Sequence, residues 1–237
     1  MSHHKESNPV HPAPSAVPST GAGHLFVFEG PDGVGKTTLI GVVAQELAIE
    51  GYNVATHAFP GREPGTLGAL VYALHHDSAL LGVESITPAS LQLLHVAAHL
   101  DTIDRAVRHL LESGVVVLLD RFWWSTWVYG MEAGVRHDTL QAMIELELRH
   151  WGEVSPDVIY LLRRAKSLRE GCSSETFAAR SMAYEVLADR EAKRSSVFRL
   201  DNDRSVAEAS ALVLGSIRNQ LQQRSQLPSR PHAERES

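Results

Sequence analysis

The stretch Gly30-Pro31-Asp32-Gly33-Val34-Gly35-Lys36-Thr37-Thr38 decides the fold. It matches G-x-x-x-x-G-K-[ST] in full. The glycines let the backbone curl until successive N–H groups face one anion. A helix beginning near Lys36 adds the positive end of its dipole. Lys36 brings a mobile cation to the β- and γ-phosphates, and the Thr37 hydroxyl suits Mg²⁺. An apolar strand, His24–Glu29, precedes the loop, and helical spacing of apolar residues over Lys36–Glu50 follows it. That context is the one the motif requires. Gly30, Asp32, Gly33, Val34, Gly35, Lys36, Thr37 and Thr38 are therefore the expected contacts of a nucleoside triphosphate with Mg²⁺. No N-K-x-D segment is present to read guanine, which argues against a GTPase.

Outward from the loop, strands alternate with helices. Strands are expected at Tyr52–His57, Val115–Leu119, Asp157–Leu162 and Ser196–Leu200 besides His24–Glu29. Helices are expected at Leu67–Leu74, Pro88–Ser113, His137–Trp151, Glu175–Lys193 and Ser205–Arg218 as well as after the loop. This order implies a five-stranded parallel sheet covered by helices on both faces. Ligands of such sheets bind at the carboxyl ends of the strands. Residues 1–23, rich in Pro, Ser and His, and 219–237, rich in Gln, Arg and Ser, are expected to be disordered tails. The folded domain is expected over 24–218.

Composition narrows the classes. The 237 residues are 43% hydrophobic and 21% charged, a globular balance. The apolar run Val115–Leu119, like every other in the chain, falls far short of the roughly 20 residues a membrane span needs. The opening residues Met1–Glu6 carry no apolar signal core, and Cys172 is the only cysteine. A reducing cytoplasm is expected. A formal net charge of −6 argues against nucleic acid as a partner.

Several segments then stand in a telling order. Phe26-Val27-Phe28-Glu29 runs into the loop. Arg62-Glu63-Pro64-Gly65-Thr66 follows, and then Asp120-Arg121-Phe122 with Ser125 and Tyr129. Pro156-Asp157-Val158-Ile159-Tyr160-Leu161 closes the set. Together they resemble the opening strand, R-E-P-G-G-T, D-R-[YFH]-x-x-S-x-x-A-Y-Q and P-D-L-T-x-Y-L segments of the thymidylate kinases. The second segment is one glycine short. The resemblance covers about 25–215. It implies a three-layer P-loop fold with a short lid. It also implies transfer of the γ-phosphate of ATP to a deoxynucleoside monophosphate, dTMP by default, and a homodimer.

The residues support those roles. Asp120 stands at the tip of a buried strand, where its carboxylate suits Mg²⁺ beside Thr37. Arg121 follows it, and Arg62 lies just past the second strand, so both guanidinium forks suit an acceptor phosphate. Asp32 either reaches the acceptor sugar, as the resemblance implies, or steadies its own turn. Ser125 and Tyr129 are further expected acceptor contacts by resemblance.

Three departures stand out. The family reads thymine with L-L-F-x-A-x-R on a helix, where this chain has Leu93-Leu94-His95-Val96-Ala97-Ala98-His99. His95 and His99 either contact the base, pack as ordinary polar residues, or pair on a metal. Trp123, Trp124 and Trp127 crowd the acceptor segment, either as core or as a reshaped pocket. The lid lacks the family's Asp, and Gly33 stands where some relatives carry Arg. A cation for the transferring group is then expected from Arg163, Arg164, Lys166, Arg169 or Arg180, with Arg169 the chosen candidate. A kinase of another or modified nucleotide, or a nucleotide-binding regulator without turnover, stays open beside the thymidylate reading.

Overall fold

The computed structural model describes residues 22–225. Strand β1, His24–Glu29, leads into helix α1, Lys36–Ile49. Then come β2, Val54–Ala58, α2, Leu67–His76, and α3, Pro88–Thr102. One wider, π-type turn at Ile103–Val107 joins α3 to α4, Arg108–Glu112. Strand β3, Val116–Asp120, is followed by α5, Trp123–Glu132, and α6, His137–Trp151. Strand β4, Val158–Arg163, α7, Ser174–Glu191, β5, Val197–Asp201, and α8, Val206–Ser225, complete the order. The five strands run parallel in the order β2-β3-β1-β4-β5.

Period-2 alternation builds two core layers, one on each face of the sheet. Phe26, Phe28, Leu118, Tyr160 and Leu162 face α1 and α8 through Leu39, Val43, Leu47, Val213 and Ile217. Leu25, Val27, Val117, Leu119 and Leu161 face the other way onto Ile103, Val107, Trp124, Tyr184 and Leu187. This is the expected three-layer arrangement.

Two elements differ from expectation. The helix beginning at Trp123 carries all three clustered tryptophans, and Trp124 is wholly buried. Trp123 lies in the same layer with Phe122 and Trp151, and Trp127 packs edge-on to His137 at 4.8 Å. The cluster is core packing. The last helix passes the expected boundary at Arg218 and reaches Ser225, because Leu221 still packs in the layer of Leu47 and Ile217. The segment 219–225 is therefore helical rather than a tail, while 1–21 and 226–237 lie outside the described residues. Among the described residues no helix is long and apolar enough to cross a membrane.

Candidate active site

β1 is the central strand, and the phosphate loop leaves its carboxyl end. Gly30, Gly33 and Gly35 adopt φ of 136°, 80° and 90°, a region open to glycine but costly for other residues. Lys36 is buried, and its ammonium donates to the Gly30 carbonyl at 2.7 Å and the Pro31 carbonyl at 3.0 Å. Burial first, then the charge of Arg121, lowers its pKa to about 8, against the pull of Asp120, Glu29 and Asp32. Asn202, just after β5, donates through Nδ2 to the Val34 carbonyl at 2.6 Å and braces the loop from behind. Sequence spacing alone does not reveal this support.

The adjacent strand β3 delivers Asp120 to the same edge. Thr37 donates its hydroxyl to Asp120 Oδ2 at 2.8 Å. Asp120 Oδ1 is buried with no hydrogen-bond partner. A buried carboxylate oxygen without a partner is costly unless a ligand satisfies it. Beside a hydroxyl at the mouth of a phosphate loop, that orphan fits a hard divalent cation with oxygen ligands.

Arg121 follows in a left-handed conformation, φ 79°, which is uncommon outside glycine. Its N–H donates to the Phe28 carbonyl at 2.9 Å, which pins the turn to β1. Its guanidinium donates to Asp32 Oδ1 at 2.5 Å and to Ser125 Oγ at 2.8 Å. Tyr129 donates its hydroxyl to Asp32 Oδ2 at 2.9 Å, and the Asp32 N–H donates back to the Tyr129 oxygen at 3.1 Å. Burial works against ionisation of Asp32, but Arg121, Lys36 and Tyr129 outweigh it and hold the carboxyl below its usual range.

Glu29 completes this edge, and sequence reasoning passed over it. It is fully buried. Its Oε1 accepts from the Phe122 N–H at 2.7 Å and the Ser125 N–H at 3.2 Å, and its Oε2 accepts from Ser125 Oγ at 2.8 Å. Burial pushes its pKa up to about 7, although Arg121, Ser125 and Lys36 pull the other way. The available signal was a carboxylate ending an otherwise apolar strand.

The segment after β4 rests on the phosphate loop. Leu168 donates its N–H to the Gly33 carbonyl at 2.9 Å. Arg169 places a guanidinium nitrogen 3.7 Å from Asp32 Oδ2 and is mostly exposed. Three other cations of this region, Arg163, Arg164 and Arg180, are engaged elsewhere. Arg163 pairs with Glu185 and Asp201, and Arg164 with Asn202 and Asp203. Arg180 grips Glu132 at 2.7 and 2.8 Å while lying over the Tyr129 ring.

A model of the thymidylate kinase family matches residues 28–199, which takes in the phosphate loop, the Asp120–Arg121 tip and the lid segment. The chain belongs to the thymidylate kinase family. It is 30% identical over 218 residues to a thymidylate kinase of Bradyrhizobium sp. strain BTAi1, covering 85% of this chain and 92% of that one. It is 37% identical over 143 residues to a thymidylate kinase of Bartonella henselae, covering 60% of this chain and 63% of that one. A thymidylate kinase of Afipia carboxidovorans matches 90% of this chain and 96% of its own length at 28% identity. As a thymidylate kinase family member the chain is a nucleoside monophosphate kinase with ATP as donor.

In this member of the family the acceptor residues expected from sequence fall into two groups. Asp32, Arg121 and Tyr129 converge as described. Ser125 is buried and spends its hydroxyl on Glu29, Arg121 and Tyr184, so it positions Arg121 rather than reaching the cleft. Arg62 is exposed and stacks over the Tyr72 ring at 4.1 Å. His95 is half-buried and lies 2.9 Å from His75 through Nε2 and Nδ1. His99 turns inward instead. It is 3% exposed, bonded through Nδ1 to Glu147 Oε2 at 2.9 Å, and stacked on Phe59 at 4.2 Å. His95 and His99 thus have different partners, and among the described residues no group of three or more His, Cys, Asp and Glu is arranged to hold a metal ion.

Proposed function

We propose that the chain transfers the γ-phosphate of ATP to dTMP, giving ADP and dTDP. One observation carries the reading: Lys36, the Thr37–Asp120 pair and Arg121 meet at the carboxyl ends of β1 and β3. Lys36 exchanges its two carbonyl partners for phosphate oxygens of the donor. The loop N–H groups and the start of α1 hold the same anion. Thr37 and Asp120 would hold Mg²⁺, which supplies charge neutralisation to the phosphates when bound. Arg121 keeps N–H groups beyond the two it gives to Asp32 and Ser125, and these grip the acceptor phosphate. Asp32 and Tyr129 orient the acceptor next to it. Arg169, on the lid, faces the charge that develops on the transferring group. Positioning and neutralisation are most of what phosphoryl transfer needs.

The chain also pairs with a second copy in this reading. Leu93 on α3 and Leu146 on α6 are about half exposed and border one shallow groove with Ala142 and Met143. Sedimentation equilibrium decides that point.

The test of function is ADP release from ATP·Mg²⁺ against a panel of nucleoside monophosphates, with Lys36→Ala and Arg121→Ala as controls. Highest kcat/KM for dTMP supports the reading. ATP binding without acceptor-dependent turnover overturns it in favour of a regulatory protein.

A further inference from the structure

Helices α5 and α7 meet along one seam. Arg180 and Tyr184 stand four residues apart on α7. Ser125 and Tyr129 stand four apart on α5, with Glu132 three further on, so each set shares a helix face. At one end of the seam the buried hydroxyls of Tyr184 and Ser125 lie 2.8 Å apart. At the other, Arg180 donates through Nε and Nη2 to the two carboxylate oxygens of Glu132 at 2.7 and 2.8 Å. The same guanidinium lies over the Tyr129 ring, 5.0 Å from its centroid.

The Tyr129 hydroxyl donates to Asp32 Oδ2 at 2.9 Å and accepts from the Asp32 N–H at 3.1 Å. Burial pushes its pKa up to about 12, so the phenol keeps the proton that it donates. Bonding both ways to one residue requires the ring to stay in one place. Arg180 supplies a surface that holds it, because a guanidinium over an aromatic face is attractive. The bidentate carboxylate in turn fixes the plane of the guanidinium. An exposed ion pair would contribute little, but the Arg180 side chain is only 21% exposed and packs on the ring. Its Nε–Nη2 edge is filled by Glu132, whereas Arg169 is mostly exposed and 3.7 Å from Asp32.

We propose that Arg180 is a positioning residue for the acceptor: clamped by Glu132, it holds Tyr129 on Asp32 and so sets how tightly the nucleoside monophosphate binds. The inference rests on the acceptor reading given above. Arg180 acts through Tyr129 and not on the transferring phosphoryl group. An interaction felt equally in the ground state and the transition state changes KM and leaves kcat alone. A transition-state cation behaves differently, since its loss costs about 10³-fold or more in kcat.

The test is steady-state kinetics of the full chain with ATP·Mg²⁺ and dTMP. Arg180→Gln is expected to raise the KM for dTMP about tenfold, with kcat within about twofold of the parent and the KM for ATP unchanged. Glu132→Gln keeps the shape and removes the charge that grips the fork. It is expected to move the dTMP KM the same way by a smaller factor, and it carries the test alone should Arg180→Gln fail to fold. Tyr129→Phe keeps the ring, loses the hydroxyl and is expected to raise the dTMP KM about tenfold. In that background Arg180→Gln is expected to add less than about twofold, because the hydroxyl it positions is gone. A KM effect that multiplies with that of Tyr129→Phe overturns the proposal. An unchanged dTMP KM in both Arg180→Gln and Glu132→Gln does the same. So does a fall in kcat of about 10³-fold in Arg180→Gln alone, which would make Arg180 the cation of the transferring group. If Tyr129→Phe itself leaves the dTMP KM unchanged, the acceptor role of Tyr129 falls, and this inference with it.

Discussion

Leu168 donates its N–H to the Gly33 carbonyl at 2.9 Å, so the lid lies directly on the phosphate loop. A Cβ on Gly33 would meet Ser167 Oγ at 2.2 Å and the Arg169 nitrogen at 2.8 Å, and φ at this glycine is +80°. Loop and lid therefore share one close contact that only glycine allows. Gly33→Ala is expected to push Arg169 off its position and lower kcat by about 10²-fold, the usual cost of a misplacement near 1 Å. Arg169→Ala should give a similar loss, and the double variant should lose little more than either alone. Steady-state kinetics of the three variants check this, with circular dichroism confirming an intact fold. Independent, multiplying losses would show that the two residues act separately.

The acceptor clamp depends on a fork rather than on a charge. Arg121 reaches Asp32 and Ser125 with two different nitrogens from a left-handed turn. Lysine offers a point charge on a flexible stem and cannot make that fork. Arg121→Lys is expected to lower kcat/KM for the acceptor by about 10²-fold, the range of one or two charge-assisted hydrogen bonds. ATP affinity should stay within about twofold of the parent, because the fork lies on the acceptor side. Equal losses for ATP and acceptor would place Arg121 on the donor instead.

What the chain revealed before its structure follows how local each feature is. The phosphate loop, its flanking strand and helix, and the Asp120–Arg121 tip are contiguous, so motif and periodicity suffice to find them. Glu29 accepts from residues 93 and 96 positions away, and no local pattern announces such partners. The seat of Leu168 on Gly33 joins segments far apart in sequence in the same way. His99 shares a helix face with His95 in sequence, yet α6 delivers Glu147 to one of them and α2 delivers His75 to the other. Tertiary packing, invisible to spacing, gives the two histidines different roles. The tryptophan cluster is legible as apolar mass, but only the sheet decides that it is core. Helix α8 runs past its expected end because Leu221 still has a place in the core layer that holds Leu47.

Glu29 makes stability depend on pH. Burial raises its folded pKa to about 7, above the ordinary carboxylate value of 4.5. The stabilisation is therefore fully present below pH 4.5 and is lost as pH rises through about 7. Each tenfold change in proton affinity is worth about 1.4 kcal/mol, so the loss for this group is on the order of 3–4 kcal/mol. Lys36 acts in the opposite sense and at higher pH, since its depressed pKa of about 8 relieves a penalty only above that point. Glu29→Gln keeps an acceptor for the Phe122 and Ser125 N–H groups and cannot titrate. Urea denaturation of parent and variant at pH 5, 6, 7 and 8 is expected to show the parent losing stability across this window relative to Glu29→Gln. Parallel curves would show that Glu29 stays charged throughout.

Asp120 separates a metal role from a structural one. Its Oδ2 already accepts from Thr37, while Oδ1 is buried and unpartnered. Leaving a buried oxygen unsatisfied costs about 1–3 kcal/mol, more when it is charged. Asp120→Asn preserves the shape and removes the charge, so without Mg²⁺ the variant should be as stable as the parent or more so. With the charge gone, the site holds a divalent cation less well. The Mg²⁺ concentration needed for half-maximal rate should rise by about 10- to 100-fold, the range seen when a group supporting a metal is lost. Thr37→Val removes the hydroxyl instead and leaves Oδ2 bare as well. It should raise the Mg²⁺ requirement and, unlike Asp120→Asn, lower the melting temperature of the metal-free protein. Mg²⁺ titrations of the rate, paired with thermal melts in chelator, measure both effects. If Asp120→Asn lowers the metal-free melting temperature and leaves the Mg²⁺ requirement unchanged, the carboxylate serves only to anchor Thr37.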